Sequence, residues 1–119
     1  MRIQVCVPTY SKTDKDIISL YHFLNLTTDA LFSVQKSNEN KVEHINVGGC
    51  KVTIVRTTDI GVSKNRNSLL DNATGDIIIN IDDDCPLVDD YVSIVENTFL
   101  LHNSKILIIV KKIHILKKT

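Results

Sequence analysis

The chain has little of what builds disulfide-stapled, zinc-binding or membrane proteins. Its 119 residues include no tryptophan, two prolines, four glycines and three cysteines. The cysteines lack CxxC spacing, which argues against a disulfide framework or a zinc site and favours a reducing compartment. No apolar run approaches the roughly 18 residues that span a bilayer, and the N-terminus lacks a signal-peptide pattern. We expect a cytoplasmic protein with no membrane span, for which peripheral attachment through a partner stays open.

The charge is balanced overall but segregated along the chain. The formal net charge is zero, so no general attraction to nucleic acid is expected. Residues 82–96 contain six acidic side chains and no basic one, whereas residues 105–119 contain five lysines and no acid. This segregation leaves open a homo-oligomer or interaction module in which acidic and lysine-rich segments of different copies pair.

Several familiar catalytic and nucleotide-binding motifs are absent. The chain has no GxGxxG and no GxxxxGK[ST], so dinucleotide-binding and P-loop hypotheses lose their main support. The four histidines are scattered along the sequence, which gives little backing to a histidine-rich metal site.

The most informative stretch is residues 76–86, where an isoleucine-rich run leads into Asp82, Asp83 and Asp84 before Pro86. A short β-branched run without polar alternation predicts a strand buried on both faces of a parallel sheet. Ligands bind beyond the carboxyl ends of such strands. The three carboxylates therefore predict a divalent cation, with or without a phosphorylated ligand. The alternative is a solvated acidic turn in which Asp84 or a neighbour caps the next helix.

Periodicity along the chain predicts a single α/β domain, a three-layer sandwich with a mostly parallel sheet. Thr13 or Asp14 is the expected cap of the first helix, whose expected apolar residues are Ile17, Ile18, Tyr21, Phe23 and Leu24. The predicted strands are 3–7, 30–34, 42–47, 51–56, 76–81 and 105–116, and the helices follow Thr13, Ser63 and Pro86.

Two helix boundaries follow from cap and turn chemistry. Ser63 is the expected cap of the second helix, and Gly75 is expected to close it. Asp89 or Asp90 is expected in the first turn of the third helix. The first strand, the strand over 51–56 and the central strand would then share one ligand edge.

Basic and aromatic side chains are expected near that edge. Arg66 precedes the central strand by one helix, and its guanidinium suits bidentate contact with a phosphate or a base edge. The alternative is a helix-surface arginine paired with Asp71. Tyr10 is a candidate for stacking on a base or, equally, a partly exposed aromatic at a strand end. Gly61 either lets backbone approach a ligand or only begins the turn before the helix.

Three sequence blocks in this order resemble family 2 glycosyltransferases, over about residues 2–100. The blocks are 5–10 (VCVPTY), 61–67 (GVSKNRN) and 73–76 (ATGD) running into the three aspartates. The resemblance implies the GT-A fold and a nucleotide-diphosphate sugar as ligand. It implies that Asp82 and Asp84 are the family's DxD carboxylates, which hold Mn²⁺ or Mg²⁺ on the donor diphosphate. The nucleotide-binding residues implied in this way are Pro8, Thr9, Tyr10, Arg66, Asp82 and Asp83.

The chain departs from that family in two places. The loop after the second strand has no acidic residue before Glu39, so we expect base recognition through Gln35 or Asn38. Nothing after Glu96 is acidic, so no catalytic base is identifiable. We therefore expect residues 1–119 to form one nucleotide-sugar-binding domain, the donor-binding half of a glycosyltransferase, in which 105–119 is a last strand with a basic tail. The alternatives are a catalytically inactive remnant and an oligomerising interaction module.

Overall fold

The computed structural model describes residues 2–102, 108–110 and 113–117, with side chains at 62, 63, 66, 70 and from 99 onward left undescribed. Strands and helices alternate as expected of an α/β chain. The strands are β1 (Ile3–Tyr10), β2 (Asp29–Gln35), β3 (Lys41–Val47), β4 (Cys50–Arg56), β5 (Ile77–Ile81), β6 (Ile108–Val110) and β7 (Ile113–Lys117). The helices are α1 (Asp14–Phe23), α2 (Val62–Asn72) and α3 (Tyr91–His102).

In the described part of the chain, one sheet contains seven strands in the order β3-β4-β2-β1-β5-β7-β6. The four central strands β4, β2, β1 and β5 are parallel to one another. Strands β3, β7 and β6 add antiparallel pairs at the two sides. The carboxyl ends of the four parallel strands therefore meet at one edge, which confirms the predicted α/β fold class.

Alternating side chains of the parallel strands build two cores on opposite faces of the sheet. Val5 and Val7 pack in the larger core with α1 and α3, whereas Cys6 packs in the smaller core with α2. Strand β5 divides in the same way, since Ile77 and Ile79 face the first core while Ile78 faces the second. This division explains why the run of isoleucines has no polar alternation, and it gives the three-layer sandwich that the sequence predicts.

The chain places β2 and β4 on one side of β1 and then crosses to place β5 on the other side. Helix α1 connects β1 to its neighbour β2 across one face, while α2 connects β4 to β5 across the other face. A crevice opens at such a reversal, beyond the carboxyl ends of the strands. In this chain the reversal lies between β1 and β5.

Helix α1 begins as predicted, but its apolar face is narrower than expected. Thr13 is its cap: the Asp16 backbone N–H donates to Thr13 Oγ1 at 3.2 Å, and the Thr13 N–H donates to the Asp16 carboxylate at 3.0 Å. Ile18 and Phe23, predicted on the apolar face, are 39% and 58% exposed. The other three predicted residues, Ile17, Tyr21 and Leu24, lie three or four positions apart and form the buried face.

The predicted boundaries of α2 are wrong at both ends. The helix begins at Val62 with Gly61 in the cap position, so Ser63 is not its cap. It ends at Asn72 rather than at Gly75. Gly75 lies where the chain approaches β1 closely. A Cβ at this position would lie 2.7 Å from the Gln4 Cβ and 3.0 Å from the Gln4 backbone nitrogen. The glycine therefore permits close packing against β1 rather than a left-handed helix end.

Helix α3 begins at Tyr91, so neither Asp89 nor Asp90 lies in its first turn. The Asp89 carboxylate instead accepts a hydrogen bond from Asn25 Nδ2 at 2.8 Å. Asp84 precedes the helix by seven residues, so it does not cap it. The predicted last strand over 105–116 is two antiparallel strands in its described part, while Lys105 and the two final residues of the tail lie outside the described residues.

Among the residues that the structure describes, no helix is long and apolar enough to cross a bilayer.

Candidate functional site

A cavity of about 180 Å³ lies at the carboxyl edge of the sheet, at the reversal between β1 and β5. Strand β1 ends at Tyr10, its neighbour β2 ends at Gln35, and β5 leads into Asp82 on the other side. The first turn of α2 closes the cavity. Its lining residues are Pro8, Thr9, Tyr10, Gln35, Asn65, Asp82 and Asp83. Five of the six predicted nucleotide-binding residues thus lie around one cavity.

A side-chain hydrogen bond joins the two sides of the reversal, in addition to the pairing of β1 with β5. The buried Thr9 hydroxyl donates to the Asp83 carboxylate at 2.8 Å, across a sequence separation of 74 residues. The Cys85 N–H donates to the Asp82 carbonyl oxygen at 3.3 Å, which turns the chain after β5. Asp82 and Asp83 are half-buried, whereas Asp84 is exposed. Asp83 is therefore tied to β1, and Asp82 and Asp83 line the cavity whereas Asp84 is not among its lining residues.

The carboxylates after β5 are the candidate metal ligands of this edge. Among the described residues, no group of three His, Cys, Asp or Glu side chains is placed to hold a metal ion. Mg²⁺ and Mn²⁺ prefer oxygen ligands, and Mg²⁺ is usually bound by only one or two carboxylates together with water and substrate phosphates. Two aspartates at a strand end fit an ion of that kind, whose coordination a phosphorylated ligand completes.

Gln35 and Gly61 fasten the start of α2 to the end of β2. Gln35, which is 1% exposed, donates from Nε2 to the Gly61 carbonyl oxygen at 2.6 Å. The Asn65 N–H donates to the same oxygen at 3.0 Å, and this is the first hydrogen bond of the helix. Gly61 has φ of 153°, a conformation that side chains rarely adopt. Its backbone thus lies against the site.

Asn65 is the one lining residue that the sequence analysis did not identify. It is 4% exposed, and its Oδ1 atom has no hydrogen-bond partner among the described residues. Its position follows from the start of α2 at Val62, one residue before the predicted cap. A correct helix start and a count of one turn would have placed it near the edge.

The two remaining predicted recognition residues are Arg66 and Asn38. The backbone of Arg66 lies in α2, but its side chain is outside the described residues. Asn38 is exposed and lines a different cavity, of about 340 Å³. Tyr10 does line the site, and it is 46% exposed, so its ring is accessible to a ligand. Of the two residues proposed for base recognition, the structure places only Gln35 in the cavity.

The larger cavity contains an arginine whose hydrogen bonds are already made. Arg56 donates to Glu43 and to Asp14, each at 2.7 Å. The hydrogen bond from Arg56 lowers the pKa of Asp14, so the carboxylate stays charged to lower pH than usual. These bonds tie β4 to β3 and to the start of α1, and they give Arg56 a structural role beside the candidate site.

Comparisons with known proteins agree with this geometry. A family model described as glycosyl transferase family 2 matches residues 5–110. The chain is similar to the crystal structure of S. aureus TarS 1-349, with a TM-score of 0.64 and 16% identity over 88% of this chain and 34% of that one. It is similar also to that protein in complex with UDP-GlcNAc, at 17% identity, with the same TM-score and 88% and 33% coverage. No curated protein sequence matches. The chain therefore spans about a third of the length of the structures it resembles.

Proposed function

Because this chain belongs to glycosyltransferase family 2, we propose that it binds a nucleotide-diphosphate sugar at the edge between β1 and β5. The observation that carries the proposal is the 2.8 Å hydrogen bond from Thr9 to Asp83. It brings the strand-end turn of β1 and the aspartates after β5 to one cavity, although 74 residues separate them. In this proposal residues 1–119 are one donor-binding domain.

The arrangement of the strands gives the ligand a direction. The aspartates follow β5, on one side of β1, whereas Gln35 ends β2 on the other side. We propose that the diphosphate lies at the aspartates and that the nucleoside extends across Thr9 and Tyr10 toward β2. The exposed Tyr10 ring would stack on the base. Arg66 is proposed, from the family resemblance, as the basic residue near the nucleotide.

Asp82 and Asp84 are the proposed ligands of Mn²⁺ or Mg²⁺. The family resemblance carries this assignment, while Asp83 accepts the hydrogen bond from Thr9. When bound, the metal ion would act as a Lewis acid that stabilises the negative charge of the diphosphate leaving group. Thr9, through Asp83, would fix the turn that carries both ligands.

The proposed reaction is transfer of the sugar to an acceptor. This activity is proposed for a protein that spans about a third of the TarS structures, and no residue of this chain is assigned as the catalytic base. The sugar, the nucleotide base and the acceptor are left open by the proposal. A cytoplasmic location and self-association stay predictions.

Donor binding is tested by calorimetric titration of UDP and GDP into the full chain, with and without Mn²⁺. We expect metal-dependent binding of at least one diphosphate, and its loss in Asp84→Ala. The matched control is Asp71→Asn, which removes one negative charge from an exposed position on α2. A folded wild-type sample that binds neither diphosphate, or binds them equally well without metal, would refute the proposal.

Two further measurements separate the alternatives. An inactive remnant would bind a donor without sugar transfer or donor hydrolysis, so turnover that is lost in Asp84→Ala would exclude it. An interaction module would associate at low salt independently of divalent metal and dissociate as salt is raised. A monomer at low salt in analytical ultracentrifugation would argue against that module.

A further inference from the structure

Asn65 contains a buried hydrogen-bond acceptor that the described part of the fold does not use. The residue is 4% exposed and lines the 180 Å³ cavity, and its Oδ1 has no partner among the described residues. A buried amide oxygen without a partner destabilises a folded protein, so such atoms usually meet water or a ligand. Asn65 is therefore placed to accept a hydrogen bond from a ligand that enters the cavity.

The neighbouring polar groups already have partners. The Thr9 hydroxyl donates to Asp83, and Gln35 Nε2 donates to the carbonyl oxygen of Gly61. These bonds hold the walls of the cavity together. Asn65 differs from them because its oxygen is buried with no such bond in the described structure.

The position of Asn65 decides which part of a ligand it would meet. Helix α2 packs against β2, β1 and β4, and Asn65 N–H bonds to the same carbonyl oxygen as Gln35 at the end of β2. The aspartates lie on the other side of β1, after β5. A nucleoside diphosphate with its phosphates at the aspartates would therefore bring its base, not its phosphates, to Asn65. The cavity volume corresponds to roughly six waters at ~30 Å³ each, which is room for more than a single bridging water.

We infer that Asn65 is a base-recognition residue: its Oδ1 accepts a hydrogen bond from an N–H group on the edge of the nucleobase. This inference rests on the proposed donor-binding function and adds to it the residue that reads the base. It also supplies an acceptor in a chain whose β2 loop has no acidic residue before Glu39.

The test compares two ligands that differ only in the base. UDP and ribose 5-diphosphate are titrated, each with Mn²⁺, into the wild-type chain and into Asn65→Leu, which keeps a similar side-chain volume without polar atoms. Loss of one hydrogen bond predicts about tenfold weaker binding of UDP, with unchanged binding of ribose 5-diphosphate. GDP is titrated in parallel, and the tighter of the two nucleotides is used for the comparison.

The matched control is Ser33→Ala. Ser33 Oγ is the other buried side-chain atom without a partner among the described residues, but Ser33 does not line the cavity. Removal of the Ser33 hydroxyl should leave the affinities of the chain for UDP and for ribose 5-diphosphate unchanged. Thermal unfolding of each variant confirms that it is folded, and Asn65→Ala replaces Asn65→Leu if the larger side chain prevents folding.

The outcomes distinguish the two proposals. A wild-type chain that binds the nucleotide, together with an Asn65→Leu variant that binds it equally well, would overturn the inference alone. Equal weakening for UDP and ribose 5-diphosphate would also overturn it, because a structural role does not distinguish the base. A folded wild-type chain that binds no nucleoside diphosphate would overturn the inference and the donor-binding proposal together.

Discussion

The hydrogen bond between Thr9 and Asp83 makes a quantitative prediction about stability. Its donor and acceptor are 2.8 Å apart, the donor is 2% exposed and the acceptor is half-buried. Hydrogen bonds to charged groups contribute about 1.5–3 kcal/mol, and the partial exposure of the carboxylate reduces the expected value to about 1–2 kcal/mol. The 74-residue separation means that only the folded chain makes this bond.

The assay is a double-mutant cycle measured by urea denaturation. Thr9→Val keeps the shape of the side chain and removes the hydroxyl, and Asp83→Ala removes the acceptor. We expect a coupling free energy of about 1–2 kcal/mol between the two substitutions. The control cycle replaces Thr9→Val by Thr53→Val, a buried threonine of β4 whose hydroxyl lies 3.0 Å from His44 Nδ1. Strand β2 separates β4 from β1, so no coupling to Asp83 is expected there.

A coupling below about 0.5 kcal/mol would contradict the reasoning, because independent substitutions already add within about that error. It would mean that the bond does not hold the aspartate turn to β1. Thr9 would then not fix the turn that carries the proposed metal ligands.

Three further predictions concern packing, pH and metal. Gly75→Ala should lower the free energy of unfolding by about 1–3 kcal/mol, because the Cβ of the alanine would lie 3.0 Å from the Gln4 backbone nitrogen. An unchanged midpoint of urea denaturation would contradict this prediction. The hydrogen bond from the Thr13 backbone N–H lowers the pKa of Asp16 below its ordinary 3.8. The capping box therefore stabilises the fold above that pH, and this contribution is lost as acid protonates Asp16. In urea denaturation at a series of pH values, the free energy of unfolding of Asp16→Asn should fall less on acidification than that of the wild type. In thermal-shift measurements, EDTA should return the melting temperature of the chain with UDP and Mn²⁺ to that of the unliganded chain. A raised melting temperature that persists after EDTA is added would count against a diphosphate held by a metal ion.

The parts of the fold that could be predicted from the sequence are those set by local chemistry. The isoleucine run identified β5 because both faces of that strand are covered, and parallel pairing then placed Thr9 and Asp83 at one edge. Thr13, one of the two predicted caps, is confirmed, and the capping box that it forms with Asp16 is contained in four consecutive residues. In each case the deciding interactions either join residues that are close in sequence or follow directly from the direction of the strands.

The parts that could not be predicted depend on what packs against each element. Gly75 has the sequence signature of a helix end, but it is required by the approach of β1, which nothing near it in the chain reveals. Phe23 fits the hydrophobic pattern of α1, yet it lies on a face that the sheet does not cover. Asn65 belongs to the site because α2 packs against β2 and β1. Its involvement is a property of tertiary packing, not of a motif.

The central position of β1 has a consequence for the exchange of backbone amide hydrogens with solvent. Parallel neighbours pair with β1 on both sides and helices cover both faces, so its amides should exchange only when the whole domain unfolds. Strand β3, which pairs on one side only in the described sheet, can exchange through local opening. The residues that would contact the nucleoside thus extend from the most protected strand, so the floor of the site should persist while the margins of the sheet open and close.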